Sequence, residues 1–283
     1  MERTLSGPPP RLTAPEGTVD TQMHCYLPSY PSAPGALPLP EGETGPEAYR
    51  KVMAWLGIAR AVVVQGNAHA ADNANLCAAL AAFGPLARGV AVITPATTDA
   101  ELERLHHAGV RGARIMHLPG GAVGLRALKE VAAMAHAMGW TLNIQFDGGE
   151  IETHEAALAA IPGRWVLDHH GKFFEGAAPG DARIAAMLRL IDGGRAHFKL
   201  AGCYESSRSG APDYADVSAV ARAVVAHSPE RAIWGTNWPH NLIKRSEDYP
   251  DDAALMDLLL DWAPSEADRR RILVDTPAAL YDF

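Results

Sequence analysis

The stretch RAVVVQGNAHAADNANLCAALAAFGPLARGVAVITP, Arg60 to Pro95, contains the unit that decides the fold. It opens with a short Val-rich run that ends in the polar Gln65 and Asn67. Asp72 then stands where a helix cap belongs, ahead of NLCAALAAF, and Gly84 closes that segment. A second apolar run, RGVAVITP, follows at once. Neither apolar run alternates with polar residues, so both read as strands buried on two faces. Strand, helix and strand in this order form a parallel unit.

The unit repeats in both directions along the chain. Upstream, TVDTQMHCY reads as a strand, and PEAYRKVMAWLG as a helix with Pro46 in its first turn and Gly57 as its stop. Downstream, Thr98 and Glu101 form a capping box ahead of a helix that Gly109 ends. VRGARIMHLPGG, WTLNIQFDGG, RWVLDHHGK, AHFKLAGCYESS and RAIWGTNWPHN supply five further strands, with helical segments between them. Short helices finish the chain, and Ser265 is placed to cap one of them. Eight such units predict an α/β fold, a single-domain (β/α)8 TIM barrel. The alternative, a doubly wound open sheet, lacks a G-x-G-x-x-G after its first strand. Residues 1–17 are rich in Pro and Gly and read as a flexible N-terminal arm, which leaves 18–283 for the barrel.

Composition limits the function. Hydrophobic residues make up 48% and charged residues 20%, as in an ordinary globular protein. A net charge of −8 and the lack of a basic run argue against nucleic acid as a partner. No apolar run is long enough for a membrane span. Cys25, Cys77 and Cys203 form no C-x-x-C pair, which points to a reducing cytoplasmic setting. Nothing in the sequence speaks to oligomeric state.

Barrel enzymes work at the C-terminal ends of their strands. The polar residues expected there are Gln22, His24 and then Tyr26; Gln65 and Asn67; Arg114 and His117; and Asn143 and Gln145. His169 and Lys172, Lys199 and Tyr204, and Asn237 with His240 complete the set. Burying so many amides and imidazoles is costly unless they bind one another or a ligand. Asp168 and His170 flank His169 and so point the other way on a strand, which favours structural roles. Lys199 reads as a partner for a carboxylate in the barrel wall, and an internal salt bridge is the alternative use of Arg114.

The motifs VDTQMH, VLDHHGKF, FKLAGCYE and IWGTNWPH, with the closing RRRILVDTPAALYDF, resemble the amidohydrolase superfamily. The resemblance covers roughly 18–283 and is greatest to the amidohydrolase-2 branch, which includes pyrone-dicarboxylate lactonases and galactarolactone isomerases. Metal-dependent members carry His-x-His on strand one, His on strands five and six, and Asp on strand eight. Here those positions read Gln22, His24, Asn143 or its neighbour Gln145, His169 and Asn237. Two imidazoles and a set of amides make a poor zinc site, so no metal and no cofactor are expected.

The resemblance then implies an isomerase acting on an aldaric acid lactone. Asn237 cannot take a proton from water as an aspartate would. A hydroxyl already on the substrate, held against its own ester carbonyl, escapes that need. The expected reaction converts D-galactaro-1,5-lactone to the 1,4-lactone, with metal-independent hydrolysis of a carboxylated lactone as the alternative. His24 or His169 would move the proton, and Asn237, Gln22 and Arg114 would hold the carbonyl oxygen. Arg114, Lys172 or His240 would pair with the free carboxylate. Asn67, Asn143, Gln145 and Tyr204 would read the sugar hydroxyls.

Overall fold

The computed structural model describes residues 1–283. Eight strands run in chain order around one sheet, each parallel to the next. They are β1 (Val19–Met23), β2 (Arg60–Val64), β3 (Ala87–Ala91), β4 (Val110–Met116), β5 (Thr141–Gln145), β6 (Trp165–Leu167), β7 (Ala196–Leu200) and β8 (Ala232–Trp234). Between them lie α1 (Pro46–Leu56), α2 (Ala74–Phe83), α3 (Asp99–His107), α4 (Leu128–Ala137), α5 (Ile151–Ala159), α6 (Ala182–Asp192) and α7 (Ala215–His227). Four short helices follow β8: α8 (Asp252–Asp257), α9 (Leu259–Trp262), α10 (Glu266–Arg270) and α11 (Thr276–Tyr281). This is the (β/α)8 barrel that the repeated unit predicts.

Local signals set the boundaries. Gly57 ends α1 at φ 73°, a left-handed conformation that glycine adopts without steric cost. Thr98 Oγ1 accepts from the Glu101 amide at 3.3 Å, and Ser265 Oγ from that of Asp268 at 3.4 Å. Asp72 acts one position earlier than a normal cap, accepting from the Ala74 amide at 3.0 Å.

The strands divide two apolar clusters. Ala61 and Val63 of β2 join the large cluster between sheet and helices. Val62 and Val64 join a small interior cluster with Val19, Val90, Val166 and Ile233. Leu280 and Tyr281 of α11 complete that interior cluster, so the end of the chain closes the barrel from below. Above this apolar layer the interior turns polar, with Gln22, Arg114, Asn143, Asp168 and Lys199 all buried.

The seam between β1 and β8 has a single parallel bridge, Met23 to Trp238. Asp20 strengthens it. Its buried carboxylate accepts from the amides of Gln22 (2.8 Å) and Thr236 (3.0 Å), from Thr236 Oγ1 (2.5 Å) and from the Tyr49 hydroxyl (2.6 Å). Gly235 permits this close approach, because a Cβ there would lie 2.5 Å from Gln22 Cβ.

Residues 1–17 contain no helix or strand. They lie along the barrel wall: the Trp55 indole donates to Pro8 O at 2.8 Å, Leu12 is in the large apolar cluster, and Arg3 reaches Pro239 O.

The seam yields a stability prediction. Asp20→Ala leaves three buried donors without an acceptor, and Thr236 Oγ1 with only its 3.4 Å bond to Gln22 O, and is expected to lower the unfolding free energy by about 3 kcal/mol or more. Urea denaturation measures this. A change within error would show that the seam does not depend on this carboxylate.

Candidate active site

A cavity of about 580 Å³ opens at the C-terminal ends of the strands. His24 faces it beyond β1, Asn67 beyond β2, Arg114 from β4, Gln145 from β5, His169 and Lys172 beyond β6, and Asn237 beyond β8. These seven are residues singled out from the sequence. Gln22, Asn143, Tyr204 and His240 do not line it. Gln22 and Asn143 lie below its floor, where Gln22 Oε1 accepts from Lys199 Nζ at 2.8 Å and Asn143 Nδ2 donates to Asp168 Oδ1 at 3.2 Å. Tyr204 and His240 stand behind Asn237, with the Tyr204 hydroxyl 2.6 Å from His240 Nδ1. Gln22, Tyr204 and His240 contact wall residues rather than the cavity, and Asn143 bonds Asp168 and Tyr281 beneath it.

Lys199 and Asp168 form a fully buried ion pair at 2.7 Å. Asp168 therefore points into the barrel interior, as Val166 does, against the expectation that it faces away; His169 also reaches the cavity because its φ of 52° breaks the alternation. His170 is buried against Phe198 and Trp262, and neither of its ring nitrogens has a partner.

Glu205 is a cavity residue outside the set expected from the sequence. Its carboxylate lines the cavity, accepts from Asn237 Nδ2 at 2.7 Å and pairs with Lys172 Nζ. A 3-10 turn over Cys203–Glu205 brings it inward directly after β7. Its position one residue beyond Tyr204 was the available signal. Tyr26, Asn241 and Lys244 also face the cavity, and the exposed side chains of Leu37, Phe174 and Leu242 surround its mouth.

The loops beyond β6 and β8 hold their residues in an uncommon backbone region. His169, His170 and Lys172 have φ of 52°, 51° and 50°, and Asn237 and His240 have 63° and 56°. Left-handed conformations are uncommon for such residues and cluster at functional sites. Gly202, at φ 62°, keeps the space clear, since a Cβ there would lie 3.0 Å from both Asn237 Nδ2 and His169 Cδ2.

Arg114 is buried at the cavity wall without a carboxylate partner. Its guanidinium donates to Gln65 O at 2.8 Å, Gln145 Oε1 at 2.9 Å and Asn67 Oδ1 at 3.2 Å, and Nε has no partner. Burial lowers its pKa. A desolvated cation bound only to neutral oxygens favours an anionic ligand. The imidazoles are held neutral. Burial, reinforced by the charge of Arg114, lowers His24 to about 3. Burial and the cations Lys172, Lys199 and Arg114 hold His169 well below its ordinary value.

The superfamily pattern implies a metal, but these donors do not fit one. No three His, Cys, Asp or Glu side chains converge on a point. Gln22 and Asn237 are neutral amides, and Lys199 already occupies the oxygen of Gln22.

The chain matches the amidohydrolase family model over residues 19–283. It belongs to that family. It is 52% identical over 282 residues to a D-galactarolactone isomerase of Agrobacterium fabrum, covering 99% of this chain and 96% of that one. A 2-pyrone-4,6-dicarboxylate hydrolase of Comamonas testosteroni is 32% identical over 284 residues, covering 96% and 92%. An apo crystal structure of an Agrobacterium tumefaciens protein superposes with a TM-score of 0.97 at 51% identity, covering 99% of both chains.

The buried imidazoles predict acid sensitivity. Unfolded histidine takes a proton near 6.5, whereas folded His24 and His170 wait until about 3 and His197 until about 4. Between those values unfolding binds protons, so stability falls as pH drops from about 6.5 towards 3. Asp20, raised by burial to about 6, acts in the opposite sense but is one group against several. Urea titrations across pH are expected to show this slope, and His170→Asn to flatten it by up to about one proton. Stability that is level from pH 7 to 4 would contradict the assignment.

Proposed function

We propose that this amidohydrolase-family enzyme isomerises D-galactaro-1,5-lactone to the 1,4-lactone by intramolecular acyl transfer. One observation carries the reading: at the end of β8 the group facing His169 is the amide of Asn237, its Oδ1 3.1 Å from His169 Nε2. An amide takes no proton from water. The cavity carboxylate, Glu205, already has both oxygens engaged, by Lys172 and by Asn237. Activating water is therefore hard here, while an internal nucleophile needs only orientation and a modest base. The isomerase relative aligned over nearly the full length supports the same reaction and the same substrate.

The chemistry balances with one proton. The C4 hydroxyl attacks the C1 carbonyl, and its proton passes to an imidazole. The C1–O5 bond breaks, and O5 takes that proton back. C4 and C5 are neighbours, so a single base reaches both oxygens. His24 and His169 divide the proton transfer and the hydrogen bond to the carbonyl oxygen, with Asn237 steadying His169. Arg114 holds the free C6 carboxylate, and Asn67 and Gln145 bind hydroxyls beside it. Lys172, paired with Glu205, adds positive charge to the wall.

Turnover in ¹⁸O-labelled water with resolved products tests the reaction. Unlabelled 1,4-lactone is expected, and labelled open-chain diacid as the first product would replace isomerisation by hydrolysis. Arg114→Met is expected to raise KM by roughly thirtyfold or more, about 2 kcal/mol. His169→Asn should lower kcat by about a hundredfold or more. Folded variants with unchanged kinetics would remove these residues from the site.

A further inference from the structure

Neutral imidazole has one nitrogen that donates and one that accepts. Which of them faces the substrate decides whether a histidine takes a proton or only gives a hydrogen bond. Both cavity histidines meet a primary amide through Nε2: His24 meets Gln22 Nε2 at 3.3 Å, and His169 meets Asn237 Oδ1 at 3.1 Å. The two ends of an amide have nearly the same shape, so their assignment rests on the other partners of each end.

For Gln22 that partner is Lys199, whose ammonium can only donate. It lies 2.8 Å from Oε1, which leaves the NH2 of Gln22 towards His24. A second route agrees. His24 Nδ1 lies 2.8 Å from the Val64 carbonyl, which only accepts, so the hydrogen is on Nδ1 and Nε2 is bare. For Asn237 the partner is Glu205, whose carboxylate only accepts. It lies 2.7 Å from Nδ2, which turns Oδ1 to His169 and makes Nε2 the protonated nitrogen of that ring. Here too a second route agrees. His240 Nε2 gives its hydrogen to Asp252 at 3.0 Å, so its Nδ1 accepts from the Tyr204 hydroxyl at 2.6 Å. The Tyr204 oxygen is then left to accept from Asn237 Nδ2 at 2.9 Å.

Each chain ends in an ion pair, and the two pairs present opposite charges. Asp168 anchors Lys199, so a cation faces Gln22. Lys172 anchors Glu205, so an anion faces Asn237. We infer that these two ion pairs assign opposite roles to the histidines: His24 Nε2 is the acceptor, exchanging its bond from Gln22 for the proton of the attacking hydroxyl, and His169 Nε2–H is the donor, shared between Asn237 Oδ1 and the carbonyl oxygen. Lys199, Asp168 and Glu205 are positioning residues. The assignment deepens the isomerase reading, and its substrate roles rest on that reading. His24 takes the hydroxyl proton as the new C–O bond forms and returns it to the leaving ring oxygen. His169 keeps its hydrogen throughout.

Nitrogen NMR of the ¹⁵N-histidine-labelled full chain, assigned with His24→Asn and His169→Asn, reads the tautomers directly. The hydrogen is expected on Nδ1 of His24 and on Nε2 of His169. The same tautomer in both rings, or the reverse assignment, overturns the inference. Glu205→Gln tests the control, because glutamine must turn an NH2 towards either Lys172 or Asn237. In that variant the His169 signals are expected to become mixed, with kcat falling roughly tenfold or more and KM within about threefold. A folded variant whose His169 signals or kcat are unchanged overturns the inference. Should that variant not fold, the tautomers of the unsubstituted chain decide alone. They are read without substrate, so a chain catalysing a different reaction leaves that result standing, and the two failures are distinguishable.

Discussion

The Lys199–Asp168 ion pair is the constraint on which the site depends. Both side chains are fully buried at 2.7 Å. Desolvating two charges is expensive, and the pair is tolerated only with close geometry and further hydrogen bonds. It has them. Lys199 also donates to Gln22 on β1, and Asp168 also accepts from Asn143 on β5. Asn143 in turn accepts from the Tyr281 hydroxyl at 3.1 Å, which ties the end of the chain to the same network. One pair thus connects four strands and α11 beneath the cavity.

This network marks a change of chemistry inside the barrel. Below it, valines and isoleucine from several strands pack on Leu280 and Tyr281. Above it, the interior holds amides, imidazoles and cations. A dry apolar base keeps the local dielectric low, so the fields of Arg114, Lys172 and Lys199 act on the imidazoles with little screening. The neutral state of both histidines follows from their place above that base.

Period-two alternation made much of this legible in the sequence. It shows which side chains of a strand point inward, and the apolar runs with their caps define the units. It does not show depth. Gln22 and His24 share a face, as do Asn143 and Gln145, yet two residues along a strand is about 6.6 Å. The deeper member of each pair meets the Lys199–Asp168 network, and the higher one meets the cavity. Alternation also ends where the strand ends. Tyr204 and Glu205 lie in a 3-10 turn, so adjacent residues both turn inward, Glu205 to the cavity and Tyr204 to its rear wall. His240 follows a turn and finds Asp252, a partner twelve residues on that no spacing rule connects to it.

The replacement of ligand positions by amides changes more than metal affinity. A carboxylate at position 237 would lie against Glu205 at a separation where two carboxylates cannot both stay ionised. The amide removes that conflict and donates to Glu205 and Tyr204 while accepting from His169. The negative charge of the site then sits on the loop beyond β7, neutralised by Lys172, instead of at the end of β8. A water entering this cavity meets donors and occupied acceptors. Under the proposed binding mode, a substrate whose free carboxylate is held by Arg114 instead brings its own hydroxyl with its orientation already set. Hydrolysis needs a strong base for a mobile nucleophile, while isomerisation needs a weak base for a fixed one, and the weak base is what these ion pairs leave available.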